Sequence, residues 1–187
     1  MSLSTIKMTA SQFLELGEDP VGIRLELVDG EIEMSPSPEP KHAFVITRLL
    51  QVLSNYIDEL ELGQLFPDVD TIFGEHDVRR PDIIFFSSER LDLVGERAME
   101  GPPDLCVEVI SPSSVATDRK RKFKQYAKGG VAHYWIVDPR EKTIEGYKLI
   151  GKKYEITGSG KDQDIVRLPP FDQLDISLAR LWLPPRR

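Results

Sequence analysis

Cysteine is all but missing from this sequence. The one thiol, Cys106, lies inside an apolar run, which excludes an intramolecular disulfide framework and a multi-cysteine zinc cluster. Any site chemistry must therefore rest on oxygen or nitrogen ligands. Long hydrophobic runs are missing too: no stretch approaches the ~20 apolar residues of a membrane-spanning helix. The start MSLSTIKMTASQF lacks the basic-then-apolar order of a secretory signal. These two absences make a cytoplasmic location without membrane association the expectation. Surplus positive charge is also lacking, because 24 Lys and Arg stand against 31 Asp and Glu, for a net charge of -7. Nonspecific coating of nucleic acid depends on excess Lys and Arg, so that class is disfavoured, although a local basic patch is not. Internal repeats, low-complexity tracts and an interdomain linker are absent.

What is present is apolar material in short, patterned pieces. The chain has 187 residues, 40% of them hydrophobic, enough for the core of one domain, expected over 1–187 with its core at about 9–180. Thr9 and Gln12 have capping-box spacing ahead of Phe13, Leu14 and Leu16, which predicts a helix over 9–18. Strands are expected on either side of Asp29-Gly30, a pair that tolerates the positive φ of a tight hairpin turn. Near-helical spacing from Phe44 to Leu60 predicts the longest helix over 42–62. Short strands are expected at 64–66, 71–73 and 82–86. LCVEVI at 105–110, continuously apolar except for Glu108, reads as a central strand covered on both faces. A basic helix over 118–128 stops at Gly129-Gly130, a strand follows at 133–138, and 143–149 with 153–157 form a terminal hairpin. Strands with one early helix and one crossover helix imply an α/β sandwich around a mixed sheet.

Two acids break this pattern. Residues two apart on a strand share a face, so Glu108 points the same way as Cys106 and Ile110 and is set among apolar side chains. Asp82 heads the apolar run DIIFF behind Pro81. A carboxylate in such surroundings is costly unless it is paired or binds a metal. Placed on one face of one sheet, the two would form a set of hard oxygen ligands suited to Mg2+ or Mn2+. In the helix DRKRKFKQYAK, Asp118, Lys122 and Tyr126 repeat at i, i+4 and line one face, from which Lys122 could reach the acids. A metal on two carboxylates polarises a phosphoryl oxygen and activates water, and a nearby ammonium orients that water or stabilises developing negative charge. Those are the needs of phosphodiester hydrolysis.

Pro81-Asp82 followed by Glu108 resembles the PD-(D/E)XK nuclease superfamily, with one departure: the lysine usual two residues after the acid is Ile110 here. The fuller series is ELVDGEI (26–32), His42, RPDI (80–83), VEVISPSS (107–114), D-R-x-x-K-x-x-x-Y (118–126) and GVAHYWIVDP (130–139). It is similar to the Uma-type family of restriction endonucleases over about residues 9–180. The resemblance implies an α/β, restriction-endonuclease-like three-layer core with a mixed β-sheet flanked by helices. It implies hydrolysis of DNA phosphodiesters with Mg2+ (or Mn2+) held by Asp82, Glu108 and the Val109 carbonyl, with Glu26 as an auxiliary ligand. It also places the displaced lysine at Lys122, and cleavage of two strands by two sites implies a homodimer.

Blander roles compete at each position. Asp82 and Glu108 also fit structural acids paired with Arg79 or Arg80. Lys122 also fits a solvated lysine, or a surface ion pair with Asp118 worth at most about 1 kcal/mol. Arg119, Lys120, Arg121 and Lys124 are general phosphate contacts or solubility charges. His42 is a secondary candidate, as a water or phosphate ligand or as a cap. Tyr126 is expected to pack under the site with its hydroxyl bonded, and Trp135 to belong to the core. At the level of function, the alternatives are an inactive nucleic-acid-binding or scaffold protein of the same fold, and a metal-dependent hydrolase of another phosphate ester.

Overall fold

A computed structural model describes residues 7–36, 39–111 and 117–184, with the side chains of Pro36, Thr117 and Asp118 outside the described set. Helix α1 (Ala10–Leu14) starts as its sequence predicts. The Thr9 hydroxyl accepts the Gln12 N–H at 3.3 Å, and the Gln12 side chain accepts the Thr9 N–H at 2.9 Å. It ends at Leu14, short of the expected 18, and the chain turns through Gly17 at φ 82°. Strands β1 (Ile23–Val28) and β2 (Glu31–Pro36) are joined by Asp29 and Gly30, both at positive φ, as the turn chemistry requires. Together with β4 (Thr71–Gly74) and β5 (Asp77–Arg79) they make a four-stranded sheet in the order β2-β1-β5-β4.

The larger sheet holds six strands: β3 (Gly63–Pro67), β6 (Ile83–Ser87), β7 (Leu105–Val109), β8 (His133–Asp138), β9 (Thr143–Ile150) and β10 (Lys153–Lys161). Its order is β10-β9-β8-β7-β6-β3. The β7–β8 pair is parallel and the other pairs are antiparallel, so the sheet is mixed as expected. The connection between the parallel strands carries a π-helical turn (Thr117–Lys122) that runs into α3 (Phe123–Gly129). Gly130 at φ 85° stops that helix. The long helix α2 (Pro40–Glu59) begins two residues before the predicted start, with Pro40 in its first turn, where a missing N–H costs nothing.

Register explains the layers. Ile83 lies opposite Val107 and Ile84 opposite Cys106, so Ile83, Phe85, Val107 and Val109 share one face. That face buries against Val45, Leu49, Leu53 and Ile57 of α2. The opposite face, with Ile84, Phe86, Cys106 and Ile110, packs on Tyr126 of α3 and on Tyr134 and Tyr154. A helix on each face of a mixed sheet is the three-layer arrangement.

Three features depart from the sequence expectations. The strand expected at 82–86 starts at Ile83, leaving Asp82 just ahead of it. Strand β5 was not anticipated, since three residues carry too little pattern to detect. Strands β11 (Ile165–Leu168) and β12 (Phe171–Ser177) were also missed, and they close the α2 side of the core with Val166, Leu168, Phe171 and Ile176. Beneath that cover β10, paired with β9, runs on to Lys161 through Gly158 and Gly160. A Cβ at Gly160 would lie 2.3 Å from a Val166 methyl, so only glycine admits that approach.

Leu49 is fully buried between α2 and the sheet. Leu49→Ala is expected to lower unfolding free energy by about 2–5 kcal/mol in urea titration. The exposed Lys120→Ala is expected to stay within about 0.5 kcal/mol of the parent.

Candidate active site

Extending the β6–β7 register by one residue brings Asp82 level with Glu108, on the face of Ile84 and Cys106 that also receives α3. Asp82 is 4% exposed. Strand β6 has not yet begun at this residue, and the Asp82 carboxylate accepts the Val109 N–H at 2.8 Å through Oδ2. His42, in the first turn of α2, places Nε2 3.0 Å from the same oxygen. The other ring nitrogen, Nδ1, is buried without a partner among the described residues.

Glu108 is 2% exposed. Lys122 Nζ donates to Oε2 at 2.8 Å and the Tyr126 hydroxyl donates to Oε1 at 2.5 Å. Lys122 is the last residue of the π-helical turn and Tyr126 lies one turn further along α3. The wide turn and the helix thus present both donors to one strand acid. Wide helical turns of this kind are frequent at functional sites.

Glu26 comes from the smaller sheet. Oε2 is 2.9 Å from Arg79 Nη1, and Oε1 accepts the Arg80 N–H at 2.8 Å. In the β1–β2 register Glu26 faces Glu33, an unfavourable like-charge pair. Arg79, fully buried, relieves it by contacting both carboxylates, with Glu33 at 3.4 Å, and also donates to the Gln125 side chain at 2.5 Å.

The electrostatics follow from this geometry. Burial is the largest influence on the Glu26 carboxyl and works to raise its pKa. The charges of Lys122 and Arg79 and the hydrogen bonds from Arg80 and Arg79 outweigh it, leaving Glu26 below the usual value. Asp82 is likewise pushed up by burial but held lower by His42, by the Lys122 charge and by the Val109 N–H. Lys122 therefore acts on all three acids. Tyr126 is pushed well above the usual phenol value, by burial first and by Glu108 next, which keeps its hydroxyl a donor. Burial does the same to Cys106, whose thiol stays protonated and unreactive.

The structure thus joins Asp82, Glu108, Val109, Lys122, Tyr126 and His42, with Glu26 alongside. The pairing of Asp82 and Glu108 with Arg79 or Arg80 is overturned: Arg79 serves Glu26 and Glu33, and Arg80 binds Asp19 at 2.6 Å and Asp70 at 2.9 Å. On the basic helix, Arg119 is tied to Glu145 at 2.5 Å and Arg121 to Glu33, while Lys120 and Lys124 are exposed. The Asp118 side chain lies outside the described residues. Arg24 and Gln125 were not anticipated, nor was the pairing of Arg79 with Glu26. Arg24 had a signal in the sequence, since it shares a strand face with Glu26.

Among the described residues no three His, Cys, Asp or Glu side chains converge as a metal cage. Two carboxylates are nonetheless a fitting donor set for Mg2+, which keeps several waters and takes one or two carboxylates plus substrate phosphate oxygens. Asp82 Oδ1 accepts no hydrogen bond among the described residues and faces Arg24 at 3.7 Å. It has capacity for a cation.

The family model Uma2, described as "Putative restriction endonuclease", matches residues 10–179. The crystal structure of a protein described as a "putative nuclease belonging to DUF820", from Anabaena variabilis, superposes with a TM-score of 0.76 at 24% identity. The alignment covers 94% of this chain and 97% of that one, which shows a shared fold. The type IIG restriction endonuclease BpuSI matches at a TM-score of 0.41 and 16% identity, over 75% of this chain and 15% of its own, too distant to carry an argument. The search of curated proteins gave no match.

The lowered carboxyls of Glu26 and Asp82 set an acid limit. A carboxyl depressed in the folded state contributes stability above its unfolded pKa, near 4.5 for Glu and 3.8 for Asp, that is lost as pH falls through the folded value. The urea midpoint is expected to hold near neutral pH and to fall steeply below about pH 4. Glu26→Gln is expected to be about 3–5 kcal/mol less stable at pH 7, because Arg79 loses its buried partner. It should also show a shallower acid decline. An identical pH profile in the variant would remove Glu26 from this account.

Proposed function

The chain belongs to the Uma2 family, and from that premise we propose that it is a metal-dependent endonuclease hydrolysing DNA phosphodiester bonds. The observation that carries the proposal is one buried cluster: Asp82 and Glu108 on a shared sheet face, with the Lys122 ammonium 2.8 Å from Glu108. Asp82, through Oδ1, and Glu108, with the Val109 carbonyl, would hold Mg2+ or Mn2+. When bound, such an ion supplies Lewis acidity toward a phosphoryl oxygen and lowers the pKa of a water.

The chain's own groups do the rest. His42 and the Val109 N–H both fix Asp82 Oδ2, which leaves Oδ1 as the oxygen turned to a ligand. Tyr126 fixes Glu108 Oε1. Lys122 orients the attacking water or stabilises negative charge developing on phosphorus oxygens. Glu26 acts first by holding Arg79, and serves as an auxiliary ligand only by exchanging one of its two partners. Lys120 and Lys124, exposed on the turn and helix that carry Lys122, supply phosphate contacts. No helix among the described residues is long and apolar enough to cross a membrane. We place the enzyme in the cytoplasm, acting as one domain per chain and as a homodimer with one site for each DNA strand.

Calorimetry with Mn2+ is expected to show binding to the parent and none to Asp82→Ala; no binding to the parent, or equal binding to both, would sink the metal site. Glu108→Gln and Lys122→Ala are each expected to remain folded and to lose about a hundredfold or more of DNA cleavage. Cleavage that persists unchanged in both points to a contaminating nuclease. Sedimentation is expected at twice the 21.2 kDa chain mass.

A further inference from the structure

Of the carboxylate oxygens in the cluster, those of Glu26 and Glu108 and one of Asp82 are engaged at 3.0 Å or less. Asp82 Oδ1 differs. Its partner is Arg24, whose Nη1 stands 3.7 Å away, too far for a hydrogen bond. The other arm of that guanidinium, Nη2, is ion-paired with Asp68. The Arg24 side chain is 19% exposed and that of Asp68 is 55% exposed, in contrast to Arg79, which is 1% exposed and bound to three partners. Arg79 is locked into the structure. Arg24 is tethered at one end and loosely placed at the other.

A guanidinium is a planar fork that can hold a carboxylate with one arm and a phosphate oxygen with the other. Arg24 Nη1 would be repelled from Asp82 Oδ1 by a cation held there, while the ion pair with Asp68 would keep the guanidinium beside the site. Its displaced arm then needs an anion, and DNA cleavage brings one. We propose that Arg24 is a phosphate-binding residue of this site, with Asp68 as its positioning residue. Nη1 contacts a nonbridging oxygen of the DNA phosphate next to the ion on Asp82. The inference rests on the nuclease reading and adds to it a contact with the substrate's charge, independent of base sequence.

The test uses the full chain and a fluorescently labelled DNA duplex. Binding is followed by anisotropy against salt in Ca2+, with gels confirming that the duplex stays intact, and Mn2+ binding is followed by calorimetry. Arg24→Gln is expected to weaken DNA binding about tenfold or more. It should reduce the slope of log affinity against log salt by about 0.9, and leave Mn2+ binding unchanged or tighter. Arg24→Lys keeps the charge but not the fork, so it is expected to retain the salt slope with weaker affinity. Asp68→Asn is expected to weaken DNA binding without weakening Mn2+ binding. DNA affinity and salt slope equal to the parent's in Arg24→Gln would overturn the assignment while leaving the nuclease reading intact. Loss of Mn2+ binding in Arg24→Gln would overturn it too, by showing a structural role at Asp82. If Arg24→Gln does not fold, Arg24→Lys decides: parental affinity overturns the fork contact. A parent that binds neither Mn2+ nor DNA would remove the nuclease reading, and this inference with it.

Discussion

Three carboxylates withdrawn from water around one lysine are the constraint on which the rest of this structure depends. Glu26, Asp82 and Glu108 are each less than 10% exposed, and an ionised acid at that depth survives only with strong partners. Each partner comes from a different element. Arg79 closes β5, His42 opens α2, and Lys122 and Tyr126 come from the crossover between the parallel strands. The acids themselves come from both sheets. The site is therefore the place where the smaller sheet, the central sheet and both of its flanking helical segments must agree in position.

The aromatic layer behind α3 positions the segment that carries the lysine. Phe73 and Tyr134 pack on the Tyr126 ring with centroids 5.0 and 5.2 Å away, and Phe123 packs on Tyr147 and Tyr154 at 5.0 and 5.1 Å. Tyr126 is thus held by its ring and directed by its hydroxyl. Because Lys122 and Tyr126 lie one helical turn apart, fixing the ring also fixes the backbone from which the ammonium reaches Glu108. At the other end of the same segment, Arg119 on Glu145 and Arg121 on Glu33 pin the turn to both sheets. Charges that look in sequence like a uniform basic stripe thus divide into clamps and exposed lysines.

This division marks the limit of what sequence alone conveys. That Asp82 and Glu108 need buried partners was legible because one heads and the other interrupts an apolar run, a contradiction visible without coordinates. Lys122 was legible only through family resemblance, since nothing local separates it from Lys120 or Lys124. The α1 cap, the Asp29-Gly30 turn, the mixed sheet and the crossover helix follow from spacing and turn chemistry, because local forces decide them. Strand β5 and the β11–β12 hairpin do not, because their apolar residues gain meaning only from what lies opposite. The partners of Arg79 and Arg80 were out of reach for the same reason: neighbouring arginines with similar surroundings in sequence point to opposite sides of a strand end, one to Glu26 and Glu33, the other to Asp19 and Asp70.

Charge balance ties the cluster to its chemistry. Among the described residues Glu26 pairs with Arg79 and Glu108 with Lys122, while Asp82 is bonded by His42 and the Val109 N–H. The contact of Asp82 with Arg24 is the long one, at 3.7 Å. A protein that needed these acids only for stability would close that gap with a second tight pair, as it does for Glu26 with Arg79. Asp82 Oδ1 accepts no hydrogen bond among the described residues and faces an ion-paired guanidinium, an arrangement that a divalent cation and a phosphate would together relieve. On the proposed reading ion and substrate would be mutually dependent, because a metal held at Asp82 would free Arg24 for the phosphate, and a phosphate on Arg24 would lower the repulsion felt by the metal. By linkage each should tighten the other, a coupling that resides in one oxygen and one guanidinium.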